Sequence, residues 1–128
     1  MKKIFIVLVV ALIFIGCSKP QREVYAEFEL LSNPDGAARV IFHYTGGVPY
    51  SQYTDLITPV PVGTTWTTET FLYEKGTNTI ATVNTDNLQT PTIPYYSHQW
   101  QVKFYVDGNL EETRTNGGVS SGINFIVP

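Results

Sequence analysis

The sequence predicts an all-β fold, namely a small antiparallel β-sandwich of seven or eight short strands, with a small β-barrel as the alternative. Three observations support this prediction: several segments alternate apolar and polar residues, turn residues separate those segments, and no window keeps the 3.6-residue apolar period of a helix. The chain has 128 residues. A chain of this length suits one domain with a single core.

The most regular alternation lies in residues 98–106, where four apolar side chains share one face: Trp100, Val102, Phe104 and Val106. The residues between them are polar, with Tyr105 as the exception. Such alternation is typical of a half-buried strand. Asp107 and Gly108 follow at once, and Asp-Gly between two strand-like segments predicts a tight hairpin whose turn needs positive φ.

Weaker alternation predicts the other strands. The first carries apolar residues at every second position, at Val24, Ala26, Phe28 and Leu30. After a predicted turn at residues 33–36, the second strand does the same at Ala38, Val40, Phe42 and Tyr44. Further strands are predicted within residues 50–58, 64–73, 79–83 and 123–127, because Gly- or Pro-containing segments separate most of them.

The N-terminus has the pattern of a targeting segment. Lys2 and Lys3 precede twelve apolar residues, 4–15, and Gly16 and Cys17 follow. Twelve residues are too few to cross a hydrocarbon core of about 30 Å, and they suit the apolar region of a secretory signal. With Gly16 and Cys17 at its end, the segment resembles a bacterial lipoprotein signal peptide. This resemblance implies cleavage between Gly16 and Cys17 and lipid attachment to the Cys17 thiol.

The lipoprotein resemblance implies an organisation and a location. Residues 1–16 are the expected signal peptide, residues 17–22 a lipidated tether, and residues 23–128 the β-sandwich domain. Several acyl chains on one cysteine anchor a protein far more firmly than one chain does. The serine at position 18, directly after the cysteine, resembles the residue found there in many outer-membrane lipoproteins of Gram-negative bacteria. The expected location is therefore the cell envelope, at the outer membrane, with the domain facing either the periplasm or the cell surface.

Composition excludes several classes of function. Without Lys2 and Lys3 the chain has six Lys and Arg residues against eleven Asp and Glu, a formal charge of −5. No basic cluster is present, so a nucleic-acid partner is not predicted. Cys17 is the only cysteine, so its lipidation leaves no thiol for a disulfide or a thiolate site. His43 and His98 lack ligand spacing, and neither a metal site nor a cofactor is predicted.

No catalytic set is predicted either. Glu27 and Glu29 share the outward face of the first strand, and Glu111 and Glu112 point to opposite faces if their strand is regular. Both pairs are interpreted as solvated edge charges rather than the paired carboxylates of a glycosidase. Residues 118–122, Gly-Val-Ser-Ser-Gly, have the spacing of the Gly-x-Ser-x-Gly nucleophile motif, but no helix is predicted after them to form its strand-to-helix elbow. We therefore predict that the protein is not an enzyme.

Aromatic residues supply the candidate ligand site. Tyr95 and Tyr96 are adjacent in a proline-bounded segment, and Trp66 lies in the middle of the domain. Aromatic rings form platforms for sugars or peptides, so these three residues are the candidate ligand-binding set. Trp100 is in the inward phase of its strand and is assigned to the core.

The order of the segments resembles the immunoglobulin-like β-sandwich of the MmpS-type envelope proteins. The matching segments are residues 38–44, residues 62–70 with Trp66, and residues 103–112 with their Val-Asp-Gly hairpin, although the cysteine pair common in that family is missing here. The resemblance implies an immunoglobulin-like sandwich and suggests an accessory role beside an envelope transporter. The function expected from the sequence is a lipid-anchored, non-catalytic module that binds another envelope protein. A glycan-binding module is the alternative.

Overall fold

The structure of the protein is a computed structural model that describes residues 19–32, 39–47, 51–56, 60–86, 99–117 and 120–128. Within these ranges the chain forms strands and turns and no helix. The strands are β1 (Gln21–Ser32), β2 (Arg39–Thr45), β3 (Ser51–Leu56), β4 (Thr65–Thr67), β5 (Phe71–Glu74), β6 (Asn78–Asp86), β7 (Gln99–Val106), β8 (Asn109–Gly117) and β9 (Ser120–Ile126). The expected signal peptide, the turn at residues 33–36 and His98 lie outside the described residues.

Two antiparallel sheets form a sandwich, which confirms the predicted fold class and not the closed barrel named as its alternative. One sheet has the strand order β4-β1-β7-β8, with β5 also paired to β1, and the other has the order β3-β2-β6-β9. The first strand begins two residues before the predicted start of the domain, because Gln21 and Arg22 already pair with Glu74 and Tyr73 of β5.

The interior consists of the alternate residues that the sequence pattern places inward. The four residues predicted on one face of β7 are all buried: Trp100, Val102, Phe104 and Val106. Aromatic rings join the two sheets, since Phe104 stacks on Phe125 with ring centroids 4.4 Å apart, and Phe28 meets Phe42 at 5.3 Å. Each such pair adds about 0.5–1.5 kcal/mol beyond the burial of its area.

A chain of two hydroxyl groups links three neighbouring strands of the β3-β2-β6-β9 sheet on its buried side. The Tyr44 hydroxyl donates to Oγ1 of Thr79 at 2.9 Å, and the Thr79 hydroxyl donates to the carbonyl oxygen of Phe125 at 3.0 Å. Burial raises the pKa of Tyr44, and the hydrogen bond with Thr79 acts in the opposite direction. The hydroxyl chain ties β2, β6 and β9 together, because buried hydroxyl groups need hydrogen-bond partners.

The predicted Asp-Gly hairpin is confirmed between β7 and β8. Asp107 and Gly108 have φ angles of 49° and 80°, the left-handed conformations that a two-residue turn of this type requires. The Asp107 carboxylate also accepts hydrogen bonds from Nε of Arg22 at 2.6 Å and from the backbone N–H of Glu23 at 3.0 Å. The hairpin is therefore fastened to the start of β1.

The strand predicted over residues 64–73 is wrong in one respect, since it is divided into β4 and β5, and the described residues form nine strands rather than seven or eight. Thr68 lies at the division. Its backbone N–H donates to the carbonyl oxygen of Ala26 at 2.9 Å, and its Oγ1 accepts from the Ala26 N–H at 3.0 Å. The threonine hydroxyl thus replaces a backbone carbonyl in the ladder, a substitution that the sequence alternation does not reveal.

Candidate binding surface

Each sheet turns one face to solvent, and cross-strand partners on a ladder share a face. On the β3-β2-β6-β9 sheet, ten outward residues include no Asp, Glu, Lys or Arg. We call them the neutral face: Ser51, Tyr53, His43, Thr45, Asn78, Ile80, Thr82, Gly122, Asn124 and Ile126. Charged residues border this set at one end, namely Asp55 on β3, opposite Ile41, and the ladder partners Arg39 and Asp86 on β2 and β6. The neutral face is the first candidate for binding because interface centres are depleted of charge.

Three residues of β2 and β3 form the most distinctive part of the neutral face. His43 lies opposite Tyr53 in the β2–β3 ladder, and Ser51 lies opposite Thr45. Nε2 of His43 is 2.7 Å from Oγ of Ser51, and the His43 and Tyr53 rings meet edge to face with centroids 6.4 Å apart. The side chains therefore present one ring and two adjacent hydrogen-bonding groups on one surface.

The edge strand β3 is fixed in place from the other side. Gln52 alternates with Ser51 and Tyr53, and its Oε1 accepts a hydrogen bond from the backbone N–H of Glu69 at 2.6 Å, in the segment between β4 and β5. The turn after β2 is also held, because a Cβ atom at Gly46 would overlap the Tyr73 ring. The positions of His43 and Tyr53 are thus set by contacts with the opposite sheet.

The neutral face exposes apolar surface as well as hydroxyl groups. Tyr53 is 68% exposed, Ile126 65% and Ile80 37%. Rings and aliphatic side chains that remain exposed on the uncharged part of a sheet are typical of an interaction surface.

The other solvent face, on the β4-β1-β7-β8 sheet, is different. We call it the charged face, and at its centre are Tyr25, Glu27, Glu29, Gln101, Lys103 and Tyr105. Its groups pair with one another: Nζ of Lys103 is 3.5 Å from Oε1 of Glu27, and the Tyr25 and Tyr105 rings stack at 4.6 Å with an interplanar angle of 6°. Tyr105, the exception in the alternation of its strand, is thus explained by a partner on β1.

The two pairs of nearby glutamates, Glu27 with Glu29 and Glu111 with Glu112, have different surroundings. Glu27 and Glu29 share one face, as predicted, and Glu27 is paired with Lys103. The regular strand assumed for Glu111 and Glu112 is interrupted by a bulge, since Tyr105 pairs with Leu110 and Phe104 pairs with Glu112. Glu111 is the extra residue, and Glu112 forms an ion pair with Arg114.

Of the three aromatic residues predicted as a ligand set, the structure describes one. Trp66 is half-buried, and its ring packs against Phe28 at 5.4 Å and Phe42 at 6.3 Å. Tyr95 and Tyr96 lie outside the described residues, as do Gly16 and Cys17. The grouping of Tyr95, Tyr96 and Trp66 therefore stays a prediction.

The alternation of Val40, Phe42 and Tyr44 leaves His43 on the other face of its strand, but nothing in the sequence marks Tyr53 or Ser51 as site residues. Their signal was weak, because β3 has no regular apolar alternation. The contact depends on the β2–β3 register, which the alternation of a single strand does not contain.

The described residues offer few other sites. Within them, no three His, Cys, Asp or Glu side chains come together as ligands for a metal ion. They also include no helix of the length and hydropathy needed to cross a membrane. Comparisons of the chain with protein-family models, with curated proteins and with solved structures found no match.

Proposed function

We propose that the protein is a lipid-anchored lipoprotein of a bacterial envelope, at the outer membrane, whose non-catalytic β-sandwich binds another envelope protein through the neutral face. The observation that carries the binding role is the contrast between the two solvent faces. On the charged face Lys103 pairs with Glu27 and Tyr25 stacks on Tyr105, whereas the neutral face leaves Tyr53 and Ile126 largely exposed. Exposed rings and aliphatic groups without charge match the composition of protein interface centres.

Contacts at the start of the described chain support a short tether. Nζ of Lys19 is 3.8 Å from Oε2 of Glu74, and the backbone N–H of Lys75 donates to the carbonyl oxygen of Pro20 at 3.4 Å. With lipid on Cys17, Ser18 alone lies between the anchor and Lys19, and the two residue-to-residue steps reach about 7 Å. The end of the sandwich at which β1 begins would then lie close to the membrane surface.

This orientation would bring much of the neutral face near the membrane. The turn after Glu74 leads into β6, and Val127 N–H donates to the carbonyl oxygen of Thr77, so the start of β6 and the end of β9 lie at the same end as the start of β1. Asn78 and Ile126 pair there. The partner we expect is consequently a protein of the same membrane or one held against it.

Mass spectrometry of the mature N-terminus tests the anchor. We expect a first residue corresponding to Cys17 with the added mass of a diacylglyceryl group and an acyl chain. A Cys17→Ser variant should leave the membrane fraction, and Ser18→Ala, with the thiol intact, is its control. An unmodified Cys17, or a membrane-bound Cys17→Ser variant, would contradict the proposed anchor.

A photocrosslinkable residue in place of Tyr53, in the full chain in intact cells, tests the binding surface. We expect one discrete adduct with another envelope protein. The matched control is the same residue in place of Leu72, which is 47% exposed and lies on the strand β5 of the opposite sheet. Equal labelling from both positions, or none from position 53, would show that the neutral face does not bind a protein.

A glycan ligand is the second candidate, and a specific observation favours it. The exposed Tyr53 ring lies beside the hydrogen-bonded His43 and Ser51. The ring could stack on the apolar face of a sugar while His43 and Ser51 bind its hydroxyl groups. Glycan-array binding that is lost in Tyr53→Ala would support this candidate. Loss in the Tyr95→Ala, Tyr96→Ala double variant alone would locate it at the predicted tyrosine segment, and silence on the array would remove it.

A further inference from the structure

Sheet edges differ in how they are protected from pairing with another strand. The edge strand β8 carries two devices: a bulge at Glu111, and the ion-paired Glu112 and Arg114 opposite the inward residues Phe104 and Val102 of β7. Bulges and inward-pointing charges prevent an edge from accepting a further strand. On the other edge of this sheet, β4 and β5 are short and separated from each other.

The edge strand β9 has none of these devices. Ser120–Ile126 contains no charged residue and no proline, and its ladder with β6 runs without a register shift from Ile126 to Ser120. Among the described residues, no strand pairs with β9 on its other side. An uncharged, regular edge of seven residues is a template for an added strand.

The hydrogen-bond phase of β9 identifies the backbone groups on this open edge. Val127 N–H donates to the carbonyl oxygen of Thr77, so Val127 directs its backbone groups toward β6. Because these directions alternate along a strand, Gly122, Asn124 and Ile126 direct their N–H and C=O groups away from β6. Three evenly spaced residues are therefore ready to pair with a second strand.

We propose that β9 pairs antiparallel with β9 of a second copy of this chain, about a two-fold axis at Asn124. In this register Asn124 faces its own counterpart, and Gly122 of each copy faces Ile126 of the other. The interface is isologous, the arrangement most common in soluble homodimers. The two four-stranded sheets become one continuous sheet of eight strands, which lies within the usual range.

Side-chain shape supports this register. Ile126 is 65% exposed, whereas Gly122 has no side chain on the same face. A Cβ atom at Gly122 would lie 3.5 Å from Cγ2 of Ile80, so the position beside Gly122 is lined by Ile80, itself 37% exposed. Ile126 of one copy fills this position on the other and covers Ile80, twice per dimer. The absence of charge on β9 also avoids like-charge pairs across the axis.

The inference goes beyond the proposed function and does not depend on it. Pairing through β9 covers Ile126 and Ile80, whereas His43 and Tyr53, on the strands farthest from β9 in the same sheet, stay exposed in both copies. The dimer would present two neutral faces on one sheet, and a repetitive or dimeric partner would then bind with higher avidity than one copy allows.

A single cysteine on the axis gives the most direct test. In the full chain, in the membrane of the expressing cell, Asn124→Cys should form an intermolecular disulfide. The expected Cα–Cα distance for a hydrogen-bonded antiparallel pair is about 5.5 Å, within disulfide range. Controls are the parent chain, which reports any dimer through Cys17, and Asn84→Cys, an exposed position of the same sheet. Absence of the Asn124→Cys dimer, or equal yield from Asn84→Cys, would overturn the proposal.

Substitutions at the contact test its chemistry. Gly122→Ala meets only ordinary van der Waals distances within the fold, yet it occupies the position proposed for Ile126 of the second copy. We expect Gly122→Ala and Ile126→Ser each to raise the dimer dissociation constant, the latter roughly a hundredfold because the loss occurs twice. Leu110→Ser, at a residue 53% exposed on β8, is the matched control and should leave the constant unchanged.

Sedimentation of the detergent-solubilised full chain measures this constant, and circular dichroism verifies that each variant is folded. A dimer that Gly122→Ala and Ile126→Ser do not weaken would overturn the proposed contact. A folded parent chain that sediments as a monomer at every concentration, or a different protein paired with β9, would also overturn it. Loss of the Tyr53 crosslink described above would not bear on it.

Discussion

The two solvent faces of this sandwich are built on the same alternating strands but differ in what their side chains contact. On the charged face, Lys103 pairs with Glu27 and Tyr25 stacks on Tyr105. On the neutral face, the Tyr53 ring meets only the His43 ring among the aromatic pairs described, in an edge-to-face arrangement, and remains 68% exposed. Charges and rings that contact one another need no binding partner, whereas an uncharged surface with an exposed ring gains stability when a partner covers it.

Both solvent faces depend on the interior that the two sheets share, so the largest expected effect is on the stability of that interior. Phe104 stacks on Phe125 and also contacts Tyr44 at 6.2 Å, so it connects the two sheets. We expect Phe104→Ala to lower the free energy of unfolding by about 3–5 kcal/mol, as for other buried Phe to Ala changes. Urea denaturation followed by tryptophan fluorescence measures this loss.

The matched control for Phe104→Ala is Leu110→Ala on the neighbouring strand, because Leu110 is 53% exposed. Its free energy of unfolding should change by about 0.5 kcal/mol or less. Similar losses in both variants would mean that burial in the interior does not hold the two sheets together.

Thr68→Val tests how the edge of the charged face is held. Valine keeps the shape of threonine but leaves the backbone N–H of Ala26 without its 3.0 Å acceptor. A buried donor without a partner costs about 1–3 kcal/mol, so we expect that loss in the free energy of unfolding. Thr68→Ser keeps the hydroxyl and should retain most of the stability. A loss in Thr68→Ser equal to that in Thr68→Val would assign the effect to packing.

The sequence was sufficient to predict the sandwich and its core because both depend on local alternation. Trp100 and Phe104 are buried as predicted, and the turn at Asp107 and Gly108 has the positive φ angles that its residue types favour. The division between β4 and β5 was not predictable in the same way. It depends on the Thr68 hydroxyl replacing a backbone acceptor for Ala26, a contact between residues far apart in the chain.

The candidate surface was less predictable than the core. The alternation of β2 placed His43 on the solvent side, but the proximity of Ser51 and Tyr53 follows from the pairing register of two strands. Trp66 was a candidate because aromatic rings can form a platform for a ligand, yet its surroundings depend on Phe28 and Phe42, which approach from both sheets. Long-range register decides such positions, and one sequence does not specify it.

Two tyrosine variants should separate stability from binding. Tyr105→Ala removes the stack with Tyr25, and we expect a loss of about 1 kcal/mol in the free energy of unfolding with binding intact. Tyr53→Ala, at a more exposed ring, should cost about 0.5 kcal/mol or less and remove the partner. Crosslinking from position 78, an exposed position of the neutral face, reports binding in both variants. Loss of binding in Tyr105→Ala with binding intact in Tyr53→Ala would instead make the charged face the binding surface.

The smallest expected effect is the pH dependence of Asp107→Asn, beside the charged face. Asparagine keeps the turn conformation, since it also accepts positive φ, but it removes the carboxylate charge. The backbone N–H of Glu23, followed by Arg22, lowers the pKa of Asp107. Because the folded-state pKa lies below the unfolded value of about 3.9, the carboxylate contributes stability above that value and loses the contribution as pH falls through the folded-state pKa.

The stability gap between the parent chain and Asp107→Asn should therefore be constant from pH 7 to about pH 5 and shrink steadily below about pH 4. Urea denaturation at several pH values measures it. Ile80→Val on the neutral face removes one methyl group and no charge, so its gap should not change over the same range. A gap for Asp107→Asn that stays constant at low pH would show that Arg22 and Glu23 are held by the shape of the turn and not by its charge.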